Sequence, residues 1–425
     1  MVSLMLLGFP YPAFLVAGQL LFMLFLFGFL IQVTLLYSVG NPFEINRVIE
    51  EKLSNGDYNV AIIQLKSLFP FTTSMVVIDE YPEQLQLRNK HFHLNNCKPN
   101  YRHDITYEFR PVNRGVYTFG DIHILVETSF GLVQKKFTVK ASQDAAVYPS
   151  FIQLRKYAYF AIHNRLDEIG IKNIRRLGAS NEFEQIRDYV QGDDFRKINW
   201  KATARKRELM VNEFQEERAQ NIYCVIDTGR NMHMPFEGLS LLEYAINASL
   251  VLLGVAQAKG DRAGLIEFSH KVDTLLPAHA RASQMKRIIE SLYSTKVQQK
   301  DSDYLNLYKQ IRFHVGKRSL MVLFTNFNSL SGLKRQLRFL KGISKNHLLL
   351  VVLFENTEIA DVANQQANRL RKAYDQTIAE KYMLEKRLIV HELNKNGIYT
   401  ILTTPAELTV NTINKYIAFK AKGVI

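Results

Sequence analysis

The first tenth of this chain carries no charge. From Met1 to Phe43 there is no Asp, Glu, Lys or Arg, and Glu44 is the first ionised residue. A stretch of that length without charge is excluded as an ordinary solvated arm. Cysteine is nearly absent too. Cys97 and Cys224 are the only two, and they show no metal-ligand spacing, which excludes a disulfide framework and suits a reducing compartment. Pro, Ser and Gly are nowhere dense enough to mark a disordered linker. The sequence also lacks Gly-x-Ser-x-Gly, His-Glu-x-x-His and Gly-x-x-x-x-Gly-Lys-Ser/Thr. His233, His270, His279 and His347 are scattered, and the adjacent acids Asp193/Asp194 and Glu216/Glu217 cannot face one another as an acid–base pair. The chain is therefore expected not to be an enzyme.

What is present points to a membrane and two folded units. The run FLVAGQLLFMLFLFGFLIQVTLLY, Phe14 to Tyr37, exceeds the roughly 20 apolar residues that a membrane span needs. Tyr11 and Tyr37 sit near its ends, where aromatic rings prefer the interface. A basic start, a short apolar core and a small-residue cleavage site are not evident, so a retained anchor is favoured over a signal peptide. Membrane lipid is thus an expected partner. The remaining length, with 47% hydrophobic residues over 425 positions, suffices for two cores. Net charge is +14, but acids interleave with the bases, which describes a solvated surface. Nucleic acid is not an expected partner: acids flank the basic run KATARKR on both sides.

Periodicity divides the chain at 1–40 (transmembrane anchor), 41–150 (β-sandwich domain), 151–218 (connecting segment) and 219–425 (α/β domain). Residues 41–57 read as helical, with apolar Ile45, Val48, Ile49 and Leu53 in INRVIEEKL. From Asn59 to Ala141 the period is two, which predicts an antiparallel sandwich whose end is marked by Ser142-Gln143-Asp144 and Pro149. After Asn221, strands alternate with helices. That predicts a parallel, doubly wound sheet, whose ligands sit beyond the carboxyl ends of its strands. A long helical stretch covers roughly Ala360 to Asn394.

Two constellations stand out. The first joins DTGRNM (227–232), after the first α/β strand, to TNFN (325–328), after a later one. Oxygen side chains at these places resemble the metal loop of von Willebrand factor A domains, which holds a hard cation such as Mg²⁺ through an Asp-x-Ser-x-Ser loop with Thr and Asp from two other loops. Asp227 and Thr325 match. Gly229 and Asn231 replace the two hydroxyls, and Asn326 replaces the second Asp. Each departure weakens a divalent cation, so no cofactor is expected, and Mg²⁺ is the ion the resemblance would imply. The second constellation is GDDFRKINWKATARKRELMV (192–211), charge gathered around the single Trp200. It reads as a helix capped by Asp193 or Asp194, with Phe195, Ile198 and Ala202 on one side, followed by an edge strand.

The second stretch, with EFEQIRDYV before it, resembles the signature of the domain of unknown function 58 family. These are bacterial and archaeal membrane proteins with a von Willebrand factor A-like domain. The matching residues are Arg187, Tyr189, Gly192, Asp193, Arg196, Ile198, Asn199, Trp200, Ala204, Arg205, Leu209 and Val211. RPVNRGVYTFGDI (110–122), SFGLV (129–133) and GDRAGLIEFS (260–269) add to the likeness. The resemblance implies a non-enzymatic adaptor at the inner, cytoplasmic membrane, its soluble domains facing the cytoplasm. It works with a MoxR-type AAA+ ATPase on client membrane or periplasmic proteins. A structural scaffold without an ATPase is the alternative. The charged stretch then serves either as an interdomain clamp or as a docking surface.

Overall fold

The computed structural model describes residues 12–87, 90–128, 131–163, 170–171, 183–190, 193, 195, 198–214, 219–236, 238–364 and 370–424. The chain divides into two compact units, Met1–Tyr148 and Pro149–Ile425.

In the first unit a helix runs from Pro12 to Ser38. Within it, Val16–Ser38 is long and apolar enough to cross a membrane. Its Leu20–Phe27 side chains are exposed all round, whereas Leu36, near its end, is fully buried in the β-rich core. That core is sandwich-like. One sheet pairs β1 (Phe43–Val48), β3 (Asn59–Ser67) and β6 (Arg102–Phe109); another orders β5 (His91–Cys97), β4 (Thr73–Asp79), β8 (Ile122–Thr128) and β9 (Gln134–Val139). A third joins β2 (Lys52–Ser54), β10 (Gln143–Tyr148) and β7 (Gly115–Phe119). Alternate residues point inward: Met75 and Val77 from β4, Ile122, Ile124 and Val126 from β8. Each such burial contributes roughly 1.5–3 kcal/mol.

Two sequence expectations fail here. Residues 43–54 are strands, not a helix, and β1 pairs with β3 from Phe43↔Ser67 to Val48↔Ile62. The inward residues of β1 are Phe43 and Arg47, and the buried Arg hid the two-residue period. Arg47 is held by Asp79, by Ala141 O at 2.7 Å and by Gly120 O at 2.9 Å. Gln143–Asp144 open β10 instead of ending the sandwich, because Ala145 and Val147 reach the core. The segment 115–128 breaks at Gly120-Asp121 into β7 and β8, which join different sheets.

The second unit carries a six-stranded sheet. Its order is β17 (Val272–His279), β16 (Arg262–Phe268), β13 (Asn221–Asp227), β18 (Leu320–Phe324), β19 (Leu348–Phe354) and β20 (Tyr399–Thr403). Neighbours are parallel except β17, an antiparallel edge absent from the sequence reading. Every residue of β18 and β19 is buried, as a sheet covered on both faces requires. A short antiparallel pair, β14 (Pro235–Phe236) with β15 (Leu239–Ser240), leads into the apolar helix Leu241–Ala258, a core element. The helix Phe151–Ile162 packs against that helix so closely that a Cβ at Gly254 would collide with Leu154 Cδ1. The stretch 360–394 forms the helices Thr357–Asn364 and Leu370–Lys395, apart from 365–369, outside the described residues. Ile389 and Leu393 dock the second of these helices on the sheet's core.

Candidate functional site

Parallel pairing of β13 with β18 sets Ile226 opposite Phe324, so Asp227 and Thr325 emerge side by side at the carboxyl edge. Asp227 is 1% exposed. Its Oδ1 accepts from Gly229 N–H at 2.8 Å and from the Ser302 hydroxyl. Its Oδ2 accepts from Thr325 Oγ1 at 2.7 Å and from Tyr304 Oη at 3.3 Å. Tyr304 Oη and Thr325 Oγ1 also stand 2.6 Å apart and carry one proton each, so whichever donates to the other does not donate to Asp227 at the same time. Burial raises the Asp227 carboxyl above its ordinary range, while these four donors oppose the shift.

An ionised carboxylate has about four lone-pair sites, and four protein groups crowd them, at least three donating at once. A cation could reach Asp227 only by displacing one. Gly229 is part of the same closure. A Cβ there would overlap Ser302 Oγ and lie 3.0 Å from Asp227 Oδ1. The hydroxyl missing from position 229 is thus supplied from a distant loop. Among the described residues, no group of three or more His, Cys, Asp or Glu gathers as a metal ion would need.

The other two residues of this constellation lie just beyond. Asn326 Nδ2 donates to Asn231 O at 3.4 Å, and Asn328 Nδ2 to Asn231 Oδ1 at 3.1 Å. The Asn326 side-chain oxygen faces the Lys386 ammonium, which also donates to Phe327 O at 2.8 Å. Lys386 is 3% exposed, and burial pulls its pKa down to about 8. A lysine therefore stands at the oxygen that a divalent ion would have used, and the residues present do not fit Mg²⁺.

Ser302, Tyr304 and Lys386 were missed by sequence reasoning. Lys386 left a signal: it interrupts the stripe Ala379, Tyr382, Lys386, Ile389, Leu393, spaced as the buried face of a helix. Ser302 and Tyr304 left none, since nothing local says that their loop returns to Asp227.

The charged stretch forms a knuckle of its own. β11 (Phe183–Asp188) and β12 (Met210–Phe214) pair antiparallel, with Arg187 opposite Val211. Arg187 grips Asp193 with two bonds of 2.7 Å, and Asp193 accepts Val190 N–H at 2.9 Å. Asp193 is therefore not the helix cap. The helix begins at Trp200, and Asn199 caps it by accepting Ala202 N–H at 3.0 Å. Asn199 Nδ2 also reaches Asn212 Oδ1 at 2.8 Å. Ile198 bridges to Val211 instead of riding a helix face. Tyr189 N–H bonds Leu209 O at 2.8 Å, closing the turn. The helix ends at Lys206, and Arg207 takes a left-handed φ of 62°. Trp200 and Arg205 remain exposed. Gly192 and Arg196, with Asp194 and Lys197, lie outside the described residues.

This knuckle and the sheet edge fall in one matched region. Residues 185–380 match the family described as protein of unknown function DUF58. Lys386 lies just past the match. The uncharacterized protein YeaD of Bacillus subtilis (strain 168) is 25% identical over 183 residues, 41% of this chain and 45% of that protein. The chain thus matches less than half the length of this relative. Among solved structures, the conserved hypothetical protein BatB from Bacteroides thetaiotaomicron is similar at 13% identity, covering 47% of this chain and 98% of BatB, with a TM-score of 0.31. A CARDB domain from Pyrococcus furiosus, solved in complex with di-metal ions, covers 26% of this chain and 99% of its own at 13% identity, with a TM-score of 0.19.

Proposed function

We propose that the chain is a membrane-anchored, non-enzymatic adaptor. Its second unit, read as von Willebrand factor A-like, offers the carboxyl edge of the sheet to a protein partner. The observation carrying this reading is the enclosure of Asp227 by four protein hydrogen-bonding groups, at the place where doubly wound sheets bind ligands. A buried carboxylate so engaged is a fixed support beneath the edge and not a reactive group. The strand order also supports the reading, since the neighbouring central strands β13 and β18 deliver Asp227 and Thr325 to one edge. We take the site to work without a divalent cation. The family resemblance supplies the partner, a MoxR-type AAA+ ATPase acting on membrane or periplasmic clients. The uncharged helix supports an anchor in the inner membrane, and the two buried thiols suit soluble units in the cytoplasm.

The test is binding of the full-length protein, in detergent, to the MoxR-type ATPase of the same organism with a non-hydrolysable ATP analogue. Arg230→Glu with Asn328→Arg alters the exposed rim of the edge. It is expected to weaken binding on the order of 10-fold, as loss of a rim contact set does. If the wild type shows no binding, the chain acts as a scaffold without an ATPase.

A further inference from the structure

The knuckle's internal bonds account for Arg187, Asp193 and Asn199, but not for what surrounds Trp200. Trp200 is 69% exposed, Val190 62% and Leu209 45%. The backbone puts the three together. Tyr189 bonds Leu209 and Asn199 bonds Met210, so Val190, Leu209 and Trp200 are each next to a bonded pair at one end of the hairpin. Phe195, exposed to 70%, lies in the same turn. Lys201 and Arg205, on the helix that Trp200 opens, and Arg207, at its C-cap, are exposed and form no ion pair among the described residues, whereas Lys206 reaches Asp188 at 3.4 Å. Burying so large a side chain as Trp is among the strongest apolar gains open to a protein, and here that gain is left unused.

We infer that this end of the knuckle docks on an anionic lipid surface. The inference rests on the membrane-anchored reading above. Trp favours the headgroup level of a bilayer, where its ring meets hydrocarbon and its N–H meets water. Leu, Val and Phe beside it supply shallow apolar insertion, and Lys and Arg supply attraction to anionic lipid. The pairing of exposed aromatic and aliphatic side chains with three cations that have no ion pair among the described residues fits that interface better than an acidic protein. The helix Val16–Ser38, long and apolar enough to cross a membrane, puts a bilayer within reach of the same chain and favours that occupant. The anchor raises the odds of encounter, because it confines the unit close to a bilayer.

The single Trp makes the test site-specific. Full-length protein is reconstituted into vesicles of phosphatidylcholine, alone or mixed with phosphatidylglycerol. Co-flotation with either vesicle reports the anchor, so a protein that does not float sinks the membrane reading itself. In floated protein, Trp200 emission is expected to shift to the blue only with phosphatidylglycerol. It should be quenched by lipids brominated near the headgroup and become shielded from acrylamide. High salt is expected to reverse the shift. Lys201→Gln/Arg205→Gln/Arg207→Gln, at exposed positions and with circular dichroism unchanged, should move the docked-to-free ratio on the order of 100-fold towards free. Equal acrylamide access in both vesicles, in protein that floats, would overturn the inference. So would shielding of Trp200 that appears only when an acidic protein is added, which would give this surface to a protein partner.

Discussion

Asp227 and Lys386 show how one side chain can set the chemistry of a sheet edge. The donors around Asp227 all point at acceptor oxygens, so an amide in its place turns an N–H₂ group toward them. Asp227→Asn is expected to lower stability by about 1–3 kcal/mol, the penalty of buried groups left unpaired, measured by urea denaturation. Gly229→Ala drives a Cβ into Ser302 Oγ and is expected to destabilise by about 1–3 kcal/mol. Adding Ser302→Ala removes the obstructing atom, so the double variant should lose less than the sum of the two single losses. Additive losses would show that the two positions do not touch. Lys386 has a pH signature. Its pKa is depressed to about 8 in the folded chain, from an ordinary 10.5. Between those values the unfolded chain holds the proton that the folded chain has released, so this lysine's contribution to stability rises with pH. The stability gap between wild type and Lys386→Met should therefore be flat below pH 8. It should then move in favour of the wild type up to pH 10.5, by at most about 3 kcal/mol. A gap independent of pH across that window would mean that the ammonium is not desolvated.

Local elements were read well where one face decides them and poorly where a charge is buried. The apolar runs within NIYCVID and HLLLVVLFE became β13 and β19, and RAGLIEFS became β16 although it buries one charge, Glu267. FEINRV failed because its inward Arg47 is paired only through β4, far away in sequence. The same applies to the knuckle. Either Asp193 or Asn199 could cap a helix by residue type, and Arg187 settles the choice by holding Asp193. Asn199→Ala is expected to lower stability by about 1 kcal/mol, the loss of one cap. Asp193→Ala should instead disturb the turn held by Arg187, leaving the helix start in place. Amide exchange on Ala202 distinguishes the two, because only the Asn199 variant should lose protection there.

The two units have separate cores, one around Ile63, Phe119 and Ile124 and the other around the six-stranded sheet. Separate cores predict separable unfolding. Arg47→Leu leaves the buried Asp79 without its cation, a change expected to destabilise the first unit by about 3–5 kcal/mol. In full-length protein in detergent, this variant should lower one thermal transition, and Asp227→Asn the other. A single transition moved equally by both variants would show that the units unfold together.

What the sequence determined by itself was whatever depends on neighbours along the chain. It set the uncharged apolar helix, the change of period from two to a strand–helix alternation, and the placing of Asp227 and Thr325 at strand ends. It also carried the family signature. Tertiary structure alone decided which partners those residues meet. The loop before Tyr304 returns to Asp227, Lys386 crosses to Asn326, and Arg47 reaches Asp79. A buried polar group is stable only with a partner, and that partner is chosen by strand order and helix packing, which a linear pattern does not encode.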